Sequence, residues 1–281
     1  MDDKLPKVLK NIHQYLDEEE TKFSQKLTKR STLFDHSLRV AKFSQKIAIA
    51  ELDDLEDLAF LGGLLHDVGK FKDGKYHVEG VNEEYRSARI AEKLLLQHRY
   101  NKNIIEKIVT AIKELYREDH CPTVLSRVIQ DADNLDKLAE LGVANFFLKA
   151  GLRGQGIEEE LFYKMSIELT YAHNAIDCMW TKTGKQLAKK KSKLTIAFFK
   201  QFIKTVTEDG LFDLKIEKIP YQGRVIFSVF KHKCECGGKV VRKICNQKGE
   251  RCNRINMQYL CTNCDKLNEV GFCSPKIRNV N

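Results

Sequence analysis

One sixteen-residue stretch constrains this chain more than any other: residues 55–70, LEDLAFLGGLLHDVGK. Its composition is that of a buried helix, because apolar side chains occupy nearly every face. Yet it ends by setting an imidazole, His66, beside a carboxylate, Asp67, with Gly69 and Lys70 just after. Ionisable groups carried into a core are costly unless they meet a partner or a metal. The fold must therefore supply that partner at the end of this segment. Gly62-Gly63 read as a break in the helix close to that point.

The surrounding sequence is helical in its periodicity. Apolar residues recur at three- and four-residue spacing in LFDHSLRVAKFSQKIAIA, SARIAEKLLLQ, NIIEKIVTAIKELY, VLSRVIQDADNLDKLAELG and LTIAFFKQFIKTV, and prolines are scarce. Ser31 or Thr32 is placed to cap the helix that carries His36. FKDGKYHVEG and AGLRGQG read as loops. Near residue 210 the pattern changes: LFDLKIEKIPYQGRVIFSVF is rich in β-branched and aromatic residues and predicts short strands. The expectation is a mainly α chain, with a helical domain over residues 1–210 and a small β-rich module over residues 211–281.

The 281 residues suffice for one large domain or two smaller ones. No apolar run approaches the roughly 20 residues of a membrane span, so no membrane partner is expected. The charged N-terminus lacks an apolar signal core, which predicts a cytoplasmic protein. The net charge of +9 is uneven, since residues 231–281 hold 11 Lys/Arg against 4 Asp/Glu. Such a basic segment suits nucleic acid or an acidic protein surface as partner. Seven of the nine cysteines also crowd this end, which in a cytosolic chain points to metal sooner than to disulfides.

His36 shares a helical face with Leu33, Val40 and Phe43, so it points inward. A lone inward histidine is ordinarily a hydrogen-bonded core residue. Two of them, with Asp67 and a further acidic pair at Asp131 and Asp133, make a set of nitrogen and oxygen donors suited to a divalent cation. Asp131 and Asp133 stand about 200° apart on a helix, so one of them is the candidate ligand. Asp131 shares its face with Val124, Val128, Leu135 and Leu138, whereas Asp133 shares one with Ile129, Asp136 and Lys137.

His36, His66-Asp67 and an Asp within QDADNLDKL resemble, in order, the H…HD…D signature of the HD-domain metal-dependent phosphohydrolases. The flanks VIQDADNLDKLAELGVANFFLKAG and TKTGKQLAKKKSKLTIAFFKQFIKTV are similar to later helices of small bacterial members that cleave nucleoside triphosphates. The resemblance covers roughly residues 25–210. It implies that His36, His66, Asp67 and one later Asp hold a single Mn, Fe, Co, Ni, Mg or Zn ion. Asp133 fits the family's ADxL pattern, with Asp131 as the alternative. It implies that Asp67 also orients or deprotonates water, and that Lys70 and Arg39 contact phosphate. Relatives with two metals carry extra histidines. The interval here offers His77, His98 and His120, with Leu115-Tyr116 where some relatives have a histidine. Glu79, Glu83 and Glu84 are further candidates for acid or base.

CECGG and CTNC resemble the two knuckles of a zinc ribbon, which implies a structural zinc on Cys234, Cys236, Cys261 and Cys264. The C-x-C spacing departs from the usual CxxC, leaving His232 or Cys273 as replacements and Cys245 and Cys252 as a second pair or unligated. The expected function is hydrolysis of a nucleotide's phosphate bond by metal-activated water. The alternatives are an HD nuclease or cyclic-oligonucleotide phosphodiesterase, and a non-catalytic nucleic-acid-binding or adaptor protein.

Overall fold

The computed structural model describes residues 4–24, 32–76, 82–117, 121–248 and 253–273. The chain is mainly helical, with small antiparallel sheets towards its end, as expected. It separates into two compact units, Met1–Asp136 with Met179–Leu187, and Lys137–Cys178 with Ala188–Asn281. The helix-to-strand change near residue 210 lies inside the second unit.

The first unit holds α1 (Leu5–Ser24), α2 (Thr32–Glu51), α3 (Glu56–Leu65), a two-residue-per-strand hairpin of β1 (Phe71–Lys72) and β2 (Lys75–Tyr76), α4 (Glu83–Gln97), α5 (Lys102–Lys113) and α6 (Val124–Asp136). Val8, Ile12, Leu16, Ile47, Leu64, Leu65, Leu95, Ile108, Ile112, Val128 and Leu135 fill its core. The hairpin occupies part of the segment read as loop, turning at Asp73 and Gly74, both at positive φ.

Two local readings are corrected. The α3 helix runs unbroken through Gly62 and Gly63. A glycine in a helix interior costs only about 1 kcal/mol relative to alanine, and here its smallness brings helices together. A Cβ on Gly63 would sit 2.7 Å from Ser44 Oγ and 2.9 Å from Ala41 Cα, so α2 and α3 approach to backbone distance only because it is absent. Thr32 is not a cap but lies inside α2, and its hydroxyl donates to the Glu20 carboxylate. Glu20 also accepts from Leu33 N at 3.1 Å, so a carboxylate of α1 serves the start of α2. Ser31 lies outside the described residues.

The second unit holds α7 (Ala139–Leu152), α8 (Glu159–Asn174), a 3₁₀ turn (Ala175–Cys178) and most of α9 (Lys182–Glu208). It then adds β3 (Leu214–Tyr221), β4 (Arg224–Lys231), β5 (Val240–Lys248), β6 (Asn253–Cys261) and β7 (Leu267–Cys273). Strands β3 and β4 form a hairpin whose Gln222-Gly223 turn has positive φ at both positions, the form that matches strand twist. Strands β5, β6 and β7 form a three-stranded antiparallel sheet. The α8 helix is tied to β4 by side chain to backbone bonds: Phe227 N donates to Thr170 Oγ1 at 2.9 Å and Val229 N to Ser166 Oγ at 2.8 Å. Tyr163 stacks on Tyr259 at 4.8 Å and joins α8 to the three-stranded sheet.

Candidate metal centres

His36 sits on α2, and the turn after α3 presents His66 and Asp67. The close packing of α2 on α3 at Gly63 sets the two imidazoles 5.3 Å apart, centroid to centroid. His36, His66 and Asp67 each offer a donor atom, all within 4.8 Å of one another. Helix α6 adds Asp133, whose Oδ1 lies 3.4 Å from His36 Nε2 and 3.9 Å from His66 Nε2.

The outer nitrogens fix both rings. His36 Nδ1 donates to Asp136 Oδ2 at 2.8 Å, and His66 Nδ1 donates to Gly63 O at 2.7 Å. Each Nε2 is thereby left with its lone pair, the tautomer that ligates a metal. His66 Nε2 is buried and has no hydrogen-bond partner among the described residues. An orphaned imidazole nitrogen facing two carboxylates and a second imidazole fits a divalent cation.

Burial and the neighbouring charges act on these groups in opposite senses. Burial raises the Asp67 carboxyl, but Lys70, His66 and His36 outweigh it and hold the group well below the usual carboxylate range. Burial lowers His66. For His36 burial also lowers, but its bonds to Asp136 and Asp67 prevail and raise it. Asp136 is likewise held down, against burial, by His36 and Arg39.

Of the residues expected here, Asp131 does other work. Its buried carboxylate accepts from Trp180 N at 2.8 Å, Thr181 N at 2.8 Å and Thr181 Oγ1 at 2.8 Å, satisfying the start of α9. Arg39 is held in a fork on Asp136, with Nε to Oδ1 at 2.7 Å and Nη2 to Oδ2 at 3.0 Å. Lys70 lies at the cluster, its Nζ bonded to Asp67 Oδ2. Gly69 lets the turn press onto α4, since a Cβ there would lie 2.6 Å from Ser87 N. Arg86 of α4 then holds the Gly69 and Lys70 carbonyls.

Glu83 and Glu84 open α4 and are not part of the metal-sized cluster. His98 caps the far end of α4 and bonds Asn11 at 3.0 Å. His77, Glu79 and His120 lie outside the described residues. Two neighbours were missed from sequence. Asp136 is one turn beyond Asp133 on α6, a spacing that would have found it. Tyr116 donates its hydroxyl to Asp133 Oδ2 from a backbone at φ 61°. No local pattern announces such a residue.

In the second unit the sulfurs of Cys234, Cys236, Cys261 and Cys264 lie within 4.8 Å of one another. Cys234 faces Cys264 at 3.6 Å and Cys236 faces Cys261 at 3.4 Å. Gly237, at φ 81°, and Gly238, where a Cβ would lie 2.7 Å from Cys261 Sγ, make the first knuckle tight enough. The Gly238 N–H and the neighbouring thiols draw Cys236 down to about 6. Cys264, despite the Lys266 N–H, is pushed up to about 12 by the surrounding sulfurs. Four sulfurs so crowded cannot all ionise without a cation among them. Cys245 stands apart on β5, its thiol 3.6 Å from Gln258 Oε1. His232 is not in the cluster. Cys252 lies outside the described residues, as does the side chain of Cys273.

Residues 33–138 match the HD domain, a match that takes in His36, His66, Asp67 and Asp133. The chain is 28% identical over 87 residues to the uncharacterized protein YpgQ of Bacillus subtilis, a stretch that is 30% of this chain and 41% of that protein. The match thus spans less than half the length of that relative. The solved structure of B. subtilis YpgQ in complex with ADP is similar at a TM-score of 0.51 and 21% identity, over 73% of this chain and 96% of that one. An HD-superfamily hydrolase from Bacillus thuringiensis is similar at a TM-score of 0.53 and 18% identity, over 73% and 97%. At such identities the likeness is one of fold. The HD match and the likeness in fold together place an HD-type helical fold in this part of the chain. No helix among the described residues is long and apolar enough to cross a membrane.

Proposed function

We propose that the first unit hydrolyses a phosphoanhydride or phosphoester bond of a nucleotide. His36, His66, Asp67 and Asp133 would hold one divalent cation there. The observation that carries this reading is the convergence of these side chains around the buried, unpartnered Nε2 of His66. When bound, such a cation makes water a nucleophile near neutral pH and offsets charge building on phosphorus.

The chain's own residues do the rest. Asp67, held ionised, accepts from the attacking water and orients it. Lys70 fixes Asp67 and sets a cation where a phosphate oxygen would approach. Arg39 and Asp136 lock the His36 ring, and Tyr116 holds Asp133. The nucleotide class draws support from the ADP complex of YpgQ, whose fold this chain shares. In the second unit, Cys234, Cys236, Cys261 and Cys264 would hold a structural zinc ion, whose removal should loosen both knuckles.

The test is product release from nucleoside mono-, di- and triphosphates and short single-stranded oligonucleotides, with Mn²⁺, Co²⁺ or Mg²⁺ added. Wild type is run beside Asp67→Ala. Metal-dependent turnover of a nucleotide, lost in the variant, is the expected result. Cleavage of oligonucleotides alone would replace the nucleotide reading with a nuclease. A folded, metal-loaded protein inactive on the whole panel would refute both.

A further inference from the structure

Helix α9 carries eight lysines between residues 182 and 207 and no acidic residue in that span. Within the second unit, Lys189, Lys193, Lys200 and Lys204 fall inside an arc of about 60°, at 100° per residue. All four are exposed. They form a row about 22 Å long, with steps of about 6, 10 and 6 Å.

Two of the steps, Lys189 to Lys193 and Lys200 to Lys204, set like charges at i,i+4, an arrangement that weakens a helix. Among the described residues Lys204 has an acid near, Glu208 Oε1 at 3.6 Å, with both side chains more than 60% exposed. Lys189 and Lys193 have no ion pair among the described residues. Lys200 lies over the Phe227 ring at 5.5 Å, and the His173 ring meets the same phenyl edge-on at 5.4 Å. His173 is made less basic by burial and then by Lys218 and Lys200, with Asp177 opposing, so a cation of α9 and one of β3 lie near the same ring of α8. The fold therefore concentrates positive charge along this face at a cost to the helix.

We propose that this lysine face of α9 binds the phosphate backbone of single-stranded nucleic acid. A row of one sign, without an interspersed acid, matches a polymer with one negative charge in every repeat. A folded protein surface mixes both signs and would meet the row with repulsion as well as attraction. The surface belongs to the second unit and does not depend on the nucleotide reading.

The experiment is fluorescence anisotropy of the full chain with a labelled 20-nucleotide oligo-dT, from 50 to 200 mM salt. Each phosphate neutralised on a single strand contributes about 0.7 to the slope of log affinity against log salt. Four lysines contribute about 2.8, an affinity loss of about 50-fold over this range. Replacing all four by Gln should reduce the slope by about that amount, while nucleotide hydrolysis stays at wild type and the thermal transition does not fall. Replacing Lys233, Lys239 and Lys243 of the cysteine-rich region by Gln should leave the slope nearly unchanged. Absence of binding at 50 mM salt would overturn the proposal, as would an equal loss in the second variant. So would displacement of the oligonucleotide by poly-glutamate at matched charge, which would assign the face to an acidic protein.

Discussion

Asp136→Asn tests the support of the His36 ring without touching His36, His66, Asp67 or Asp133, the candidate ligands. The carboxylate is almost fully buried and accepts three bonds, two from the Arg39 fork at 2.7 and 3.0 Å and one from His36 Nδ1 at 2.8 Å. Hydrogen bonds to charged groups contribute about 1.5–3 kcal/mol each, but an amide of the same shape keeps part of each, and Arg39 is partly exposed. The expected loss is therefore about 2–3 kcal/mol, not the sum. The amide also has donors to offer Nδ1. It would favour the tautomer with the proton on Nε2, which cannot ligate, so Mn²⁺ affinity should fall about 10- to 100-fold. Trp180, the only tryptophan, belongs to the same unit and lies against Arg127 at 5.1 Å, so its fluorescence follows urea unfolding of this unit. The Asp136 carboxyl is held below its unfolded value, so its contribution is present above about pH 4 and fades as pH falls through the folded value. The difference between wild type and variant should shrink on acidification accordingly. Unchanged Mn²⁺ affinity, with the same urea midpoint at pH 7, would refute the assignment of Asp136 as the brace of His36.

Other expectations are equally direct. Tyr116→Phe removes the hydroxyl on Asp133 while keeping the ring. It should lower kcat and weaken Mn²⁺ binding about tenfold with KM nearly kept; a change in KM alone would instead place Tyr116 at the substrate. Gly63→Ala forces a Cβ to within 2.9 Å of Ala41 Cα, and overpacking of this kind should cost about 1–3 kcal/mol and widen the gap between His36 and His66. Urea unfolding and Mn²⁺ titration check both effects. Burial raises Glu168 to about 7 against the pull of Lys149 and Lys137. The unfolded chain gives up this proton first, so wild type should lose stability from about pH 4.5 to 7. Glu168→Gln should gain up to about 2 kcal/mol at pH 8, after discount for partial exposure, and nothing at pH 4 in thermal melts.

What could be read from the sequence divides by the range of the interactions concerned. Helices and strands follow from periodicity, and these are where expectation and structure agree; the short spacings of four cysteines accompany their gathering into one cluster. The acidic pair of α6 shows the limit. Asp131 and Asp133 are alike locally, and the apolar neighbours Val128 and Leu135 recommended the face of Asp131. That face is indeed buried, but its carboxylate meets the N–H groups of Trp180 and Thr181, some fifty residues away. A helix start arriving from so far leaves no mark beside Asp131. Arg39, one turn from His36, is expected at phosphate because a guanidinium fits it bidentately. Its fork on Asp136 depends on α2 meeting α6, which no spacing within either helix reveals. Gly62-Gly63 carried the opposite error: a propensity of about 1 kcal/mol was given more weight than the close helix contact that needs those glycines. The same contact draws His36 towards His66. The residue type that looked like the end of the helix is what lets the two imidazoles share a site.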